Sequence, residues 1–323
     1  MGTNAPPLMI GIDVGGTKIA GVVIEDDLAG KGVTVLAQTQ RPAQRGANAL
    51  IDCIVAVIDT LNTQLAQRGE TRRASVIGIG TPGTVDGRTG DVRAIANLSI
   101  DYVPLARAIS ARCGMTTVVE NDVNAAALGA SSMLFGDDAT ETIAFLNLGT
   151  GLAAGILRDG VLDHGSSNTV GEIGHIPVEP HRWKCACGQR GCLETAASGG
   201  AAKRLWPYAD PPMPAILAAA HNPHDARHEQ AQDVQHIIIN AIADAIDILA
   251  VTVDPAAIII GGGMAKTGEP LLHAITKELR QRAQSSKFID SLHLPSRLKL
   301  VPADLPVGAI GAALSAKHVT TAA

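Results

Sequence analysis

Residues 8–25, LMIGIDVGGTKIAGVVIE, set two apolar runs on either side of a D-x-G-G-T-K turn. Two short apolar runs around a glycine turn predict a β-hairpin. Over 48–67 the apolar positions recur at helical spacing, which predicts an amphipathic helix. S-V-I-G-I-G at 75–80 then reads as a buried strand ending in T-P-G, and this alternation of strand and helix is the α/β pattern. A polar loop carrying Asn97 follows, then a helix over 104–113 and a strand T-T-V-V at 116–119 that runs straight into E-N-D-V-N-A-A-A. Asn121 or Asp122 stands where a helix N-cap belongs, a position that favours both residue types.

Residues 143–160 repeat the first hairpin in outline: strand, glycine and threonine turn, strand. The chain thus carries an internal duplication. Helices over 214–220 and 231–251, a strand at 256–260 ending in G-G-G-M, and an apolar helix over 307–316 complete the pattern. The most apolar long segment, 236–263, is interrupted by Asp244, Asp247 and Asp254. It reads as a buried helix followed by a strand, with no membrane span.

Composition changes this picture in two ways. At 323 residues the chain suits about two domains. Hydrophobic residues make up 46 % of it but aromatics only 2 %, so the core must be built from Ala, Val, Ile and Leu packed closely with glycine. A formal net charge of -5 argues against a nucleic-acid surface, which shows as a basic excess. No basic, apolar and cleavage-site succession opens the chain, so the expected location is the cytoplasm. Cys53 and Cys113 fall in apolar helical patterns and read as inert core residues.

The other three cysteines carry chemistry. G-E-I-G-H at 171–175, nine residues, then C-x-C-x4-C-x-E at 185–194 place His175, Cys185, Cys187 and Cys192 close together, flanked by Glu172 and Glu194. Three thiols and one imidazole are a full tetrahedral set for zinc, and a closed set is structural because a catalytic zinc keeps one position open. The glycines at 188 and 191 let the loop wrap, and a cytosolic setting disfavours a disulfide. His181 is closer in sequence to Cys185 and stays an alternative fourth ligand. In the first hairpin Gly15 and Gly16 let backbone amides approach an anion, Thr17 adds a hydroxyl, and Asp13 at the strand end is placed to hold a hydrated magnesium ion. The same residues also fit an ordinary hairpin turn. They are not a Walker loop, which needs G-x4-G-K-[ST] before a helix.

Taken together and in order, D-V-G-G-T-K, T-P-G, E-N-D-V-N-A-A, L-G-T-G, G-E-I-G-H, C-x-C-G-x-x-G-C-x-E and I-I-G-G-G resemble the repressor, open reading frame and kinase family of bacterial sugar kinases, over about residues 10–312. The resemblance implies the α/β actin-like ATPase fold, with two ribonuclease-H-like domains around a cleft, and a homodimer. The domains implied are 1–120, completed by a helix at about 307–323, and 121–306 with the zinc loop. It further implies ATP and Mg2+ beside the structural Zn2+, and a sugar as the other substrate. Asp122 would be the base that accepts the sugar hydroxyl proton. Gly83, Asn97 and Asn121 would touch the sugar, with Glu172, His175 and Glu194 on its other side. Asp13, Gly15, Gly16, Thr17, Lys18, Thr150, Gly151, Gly261 and Gly262 would hold the nucleotide.

Here the second phosphate turn, L-G-T-G-L-A-A-G, carries fewer glycines than is usual in related kinases. Family members that act as repressors have a helix-turn-helix domain ahead of this fold, whereas D-V-G-G begins here at residue 13. The implied reaction is transfer of the ATP γ-phosphoryl to the 6-hydroxyl of a hexose. Glucose is expected first, from the resemblance of Asn97-Leu98 to the asparagine step of glucokinases, and N-acetylmannosamine second.

Overall fold

The computed structural model describes residues 6–26, 32–136, 140–302 and 304–317. The final six residues of the expected 307–323 helix lie outside them. The chain forms two compact units: residues 1–140 with 159–162 and 306–323, and residues 141–158 with 163–305.

The first unit is built on β1 (Leu8–Val14), β2 (Lys18–Asp26), β3 (Val33–Pro42), β4 (Val76–Thr81) and, after a small separate sheet of β5 (Thr84–Val85), β6 (Val92–Ile95) and β7 (Ile100–Val103), β8 (Thr116–Asn121). The main sheet runs β3-β2-β1-β4-β8. The expected hairpin is β1 and β2, antiparallel, while β4 runs parallel to both β1 and β8. The register sets Asp13 opposite Gly80 and Thr81 opposite Asn121. Asp13 and Asn121 therefore share the C-terminal edge of the parallel strands, where open α/β sheets bind their ligands.

Helix α1 (Ala47–Gln67) covers one face of this sheet, burying Leu50, Ile54, Val57, Ile58 and Leu61. The helix Val307–Ser315 lies directly on the strands of the other face. A Cβ on Gly78 would come within 1.6 Å of the Ala312 carbonyl oxygen, and one on Gly11 within 1.9 Å of that of Ala309. The same helix meets α3 (Asp122–Phe135) backbone to backbone, with a Cβ on Gly311 falling 1.7 Å from the Ala125 oxygen. This contact corrects the expected boundary at residue 120. Helix α3 stays with the first unit because small residues on both helices lock it to the C-terminal helix, and the chain leaves the unit near residue 140.

The second unit opens with the hairpin of β9 (Ile143–Leu148) and β10 (Leu152–Arg158). Strand Ala257–Gly261 pairs parallel with β9, and strand Leu298–Leu300 pairs parallel with Ala257–Gly261. This repeats β2-β1-β4-β8, so the duplication seen in the sequence is a duplication of topology. Helix His228–Thr252 is long and apolar enough to cross a membrane by length and composition. Its apolar face, including Ile238, Ile242, Ile246 and Leu249, is packed instead into the core of this unit.

Candidate active site and metal centre

Asp13, the penultimate residue of β1, is partly buried, and burial pushes its carboxyl up, with Lys18 pulling the other way. A Cβ on Gly308 would lie 2.9 Å from the Asp13 carboxyl carbon, so the acid fits against the first turn of the C-terminal helix only because that residue is glycine. Gly16 and Thr17 stand exposed in the turn, which the Gly15 amide closes by donating to the Lys18 carbonyl at 2.9 Å. Lys18 itself is the first residue of β2, and its ammonium donates to Gln40 at 3.4 Å.

Asn97 sits in a single helical turn, Ala96–Leu98, in the small sheet. Its side chain closes over the first phosphate turn: a Cβ on Gly16 would lie 3.1 Å from Asn97 Nδ2. Gly83 has φ 97°, and a Cβ there would meet the Arg93 carbonyl oxygen at 2.5 Å.

The choice between Asn121 and Asp122 as cap is decided by hydrogen bonds. Asn121 Oδ1 accepts from the amides of Val123 at 2.9 Å and Asn124 at 3.3 Å, so Asn121 caps α3. Asp122 is the first helical residue, and its Oδ1 accepts from the Val123 amide at 3.0 Å. The helix N-terminus favours a negative charge at that place. Glu120 fixes the cap in turn, accepting from the Asn121 amide at 2.8 Å and from Asn124 Nδ2 at 3.0 Å.

In the second unit the loop from Gly171 docks on β10: Ala154 N–H donates to the Gly171 carbonyl at 2.8 Å. Single helical turns at Ile173–His175 and Leu193–Thr195 present the ligands and acids. The ligand atoms of His175, Cys185, Cys187 and Cys192 all lie within 4.8 Å of one another. Cys187 and Cys192 Sγ are 3.6 Å apart, and Cys185 Sγ is 3.9 Å from His175 Nδ1. A tetrahedron with Zn–S bonds of about 2.3 Å has edges of about 3.8 Å, and a disulfide needs about 2.05 Å, so the cluster fits structural zinc and not a bridge. Hydrogen bonds from the Gln189 backbone and from the Cys185 side chain draw the Cys187 thiol down to about 7, while burial and the neighbouring Glu194 carboxylate push Cys185 up.

His181 is not in the cluster. Its Nδ1 lies 2.5 Å from Glu179 Oε1, and its ring stacks on Trp183 at 4.4 Å. Glu179 is a residue that the sequence did not single out. Only 2 % exposed, it also accepts from the His181 amide and so ties down the stretch leading to Cys185.

The two acids flank the imidazole, with Glu172 Oε2 3.9 Å from Nε2 and Glu194 Oε1 3.8 Å from Nδ1. Glu194 Oε1 also lies 2.9 Å from Cys185 Sγ. Its other oxygen would be 3.0 Å from a Cβ on Gly151. One carboxylate therefore touches both the metal cluster and the second phosphate turn.

That turn is braced from outside. Gly199 N–H donates to the Gly149 carbonyl at 2.7 Å and Gly200 N–H to that of Thr150 at 3.1 Å, while Ser198 Oγ caps the helix they open by accepting from Ala201 N–H. The sequence did not single out S-G-G at 198–200. A side chain on Gly200 would begin 2.8 Å from the Thr150 oxygen. Gly200→Val is accordingly expected to raise the KM for ATP about tenfold, or about 1.4 kcal/mol, with the sugar KM within about threefold. Steady-state kinetics with each substrate varied in turn will check it. Gly262, the last expected nucleotide residue, has φ 85° and follows Gly261 at the end of the strand parallel to β9.

Among proteins of known sequence and structure, the glucokinase of Thermotoga maritima is 31 % identical over 286 residues, covering 84 % of this chain and 86 % of that protein. The crystal structure of a ROK hexokinase from Thermus thermophilus matches 98 % of this chain and 100 % of its own at TM-score 0.75 and 26 % identity. A ROK family glucokinase from Streptomyces griseus, crystallised with glucose and AMPPNP, matches 96 % and 99 % at TM-score 0.73 and 29 % identity. The fold of both units is accordingly the actin-like ATPase fold of these sugar kinases. A sequence model of the ROK family matches residues 9–318, and with motifs, topology and relatives in agreement, the chain belongs to the ROK family.

Proposed function

We propose that this protein is an ATP-dependent hexose kinase that phosphorylates the 6-hydroxyl of its sugar, with glucose preferred. The observation that carries the reading is the division of labour at β8: Asn121 caps the helix, which leaves Asp122 as a carboxylate presented at the ligand-binding edge of the sheet. The likeness to glucokinases, one of them crystallised with glucose and AMPPNP, supports it.

Phosphoryl transfer needs positioning and charge neutralisation more than covalent help. Asn97, Asn121, the Gly83 backbone, Glu172, His175 and Glu194 are assigned to binding and orienting the sugar. Asp122 accepts the proton of the attacking hydroxyl as the new P–O bond forms. The amides and hydroxyls of the turns at 15–17 and 149–151 hold the phosphates. A magnesium ion held by Asp13 through water would neutralise charge on the phosphate oxygens. The zinc cluster takes no part in the chemistry. His175, Cys185, Cys187 and Cys192 would hold the zinc, and their ligation would fix one nitrogen of His175 and, through the folded loop, both glutamates. The reading includes a cytoplasmic homodimer, which light scattering of the purified protein tests.

Sugar choice rests on the 2-substituent. A carboxylate paired with a hydroxyl is left unpaired when an axial acetamido group replaces it, and Glu194 is the residue assigned to that pairing. The expected kcat/KM with ATP favours glucose over N-acetylmannosamine by at least about tenfold, or about 1.4 kcal/mol. A panel of glucose, N-acetylmannosamine, N-acetylglucosamine, mannose, fructose and allose measures it. A reversed ratio makes the protein an N-acetylmannosamine kinase, and absence of ATP consumption with every sugar makes it a sugar-binding protein.

A further inference from the structure

The duplicated topology has a residue in the second unit that matches Asp13. Asp13 is the penultimate residue of β1, two positions before Gly15 of the glycine turn, and pairs with Gly80 on the parallel strand. Asn147 is the penultimate residue of β9, two positions before Gly149 of the second glycine turn, and pairs with Gly261 on the parallel strand. Both also face an alanine across their hairpins, Ala20 and Ala153.

The side chain of Asn147 lies between two turns of the second unit. A Cβ on Gly149 would be 3.1 Å from Asn147 Nδ2, and one on Gly262 would be 2.6 Å from Asn147 Oδ1. Beneath Gly261 the space is filled by the Phe145 ring. Beneath Gly262 it is filled by the Asn147 amide together with the Leu148 carbonyl group, whose carbon also lies 2.6 Å from such a Cβ. Asn147 is partly exposed, unlike Leu146 and Leu148 on either side, and among the described residues no hydrogen bond engages its side chain. A polar amide held against two turns, partly exposed and without a hydrogen-bond partner among the described residues, is placed to bond a ligand that spans both.

We propose that Asn147 binds the nucleotide, its amide contacting the phosphate nearest the ribose. This deepens the kinase reading and rests on it: the turn at 149–151 is assigned to the terminal phosphates and the turn at 261–263 to the ribose and base, so a group between the turns meets the phosphate that joins the two. A neutral amide suits the place. It offers an N–H donor to a phosphate oxygen, a charge-assisted bond, whereas a second carboxylate matching Asp13 would add repulsion.

The test is calorimetric titration of adenosine and AMP, in buffer free of divalent cations, where an introduced carboxylate cannot borrow a metal, into wild type, Asn147→Asp and Asn147→Ser. Asn147→Asp is expected to weaken AMP binding at least about tenfold and to leave adenosine within about twofold. Asn147→Ser, which keeps a donor, should stay within about fivefold for AMP. The glucose KM and the melting temperature of both variants should match wild type. Equal AMP affinity in wild type and Asn147→Asp overturns the proposal. So does an equal loss of adenosine and AMP, or a melting temperature that falls with AMP affinity in both variants, because either shows that Asn147 only props the turns. Wild type that binds no adenine nucleotide, with magnesium or without, removes the kinase reading itself.

Discussion

Replacing Asp122 by asparagine is expected to lower turnover by about two to four orders of magnitude, the usual range for loss of a general base, with the protein folded and the sugar KM within about fivefold. The amide has the same shape and can still hydrogen-bond the sugar hydroxyl, but it has no basic lone pair to take the proton. Folding should survive because the N-cap of α3 is Asn121, which accepts from the amides of Val123 and Asn124, and asparagine at 122 keeps an Oδ1 for the Val123 amide that the two side chains share. Asn121→Ala is the contrasting variant: loss of a cap costs about 1 kcal/mol of stability. Thermal melts and kcat of the two proteins separate the roles. If Asp122→Asn keeps turnover within a few fold of wild type, Asp122 serves only the helix terminus.

Cys187→Ser is expected to strip the metal, lower the melting temperature and raise the sugar Kd by at least about tenfold. Metal binding is coupled to folding of such loops, and here the regular structure between Gly171 and Thr195 is two single helical turns and one isolated bridge, Lys184 with Arg190. The effect should reach the sugar through His175 and through Glu172 and Glu194, each of which lies within 4 Å of one nitrogen of its imidazole. Elemental analysis should give close to one zinc per chain in wild type and none in the variant, with glucose affinity read by calorimetry. Wild type purified without chelator and found free of zinc would remove the premise.

Both predictions draw on residues that were legible in the sequence, because the chemistry there is local. Two glycine turns between apolar runs, a strand running into an N-cap, and three cysteines with a histidine are patterns of a few residues each. What could not be read depends on partners distant along the chain. The place of α3 is decided by Gly311 meeting Ala125, some 186 positions away. Spacing alone could not exclude His181 as an alternative to His175, and it is the buried Glu179 and the Trp183 ring, which occupy His181, that separate them. The small sheet of β5, β6 and β7 escaped because its strands of two and four residues leave no periodicity to detect. Ser198, Gly199 and Gly200 act on a turn formed some 50 residues earlier, and Asn147, although it adjoins its own glycine turn, also meets the turn at 261–263 more than 110 residues away, so nothing in their own neighbourhood announced these contacts.

The backbone contact of the C-terminal helix with Gly11 and Gly78 also orders events during synthesis. The first unit starts with β1, made before any of the second unit, yet one face of its sheet is covered by residues 307–315, which are made after all of the second unit. The second unit ends at residue 305 and has nothing to wait for. It should therefore reach its native core first, while the nascent N-terminal sheet, with Met9, Val22, Ile24 and Val76 uncovered, remains the aggregation-prone and chaperone-dependent part of the chain. A chain stopped at residue 306 should show this directly, with a protease-resistant C-terminal fragment and a first unit that is digested.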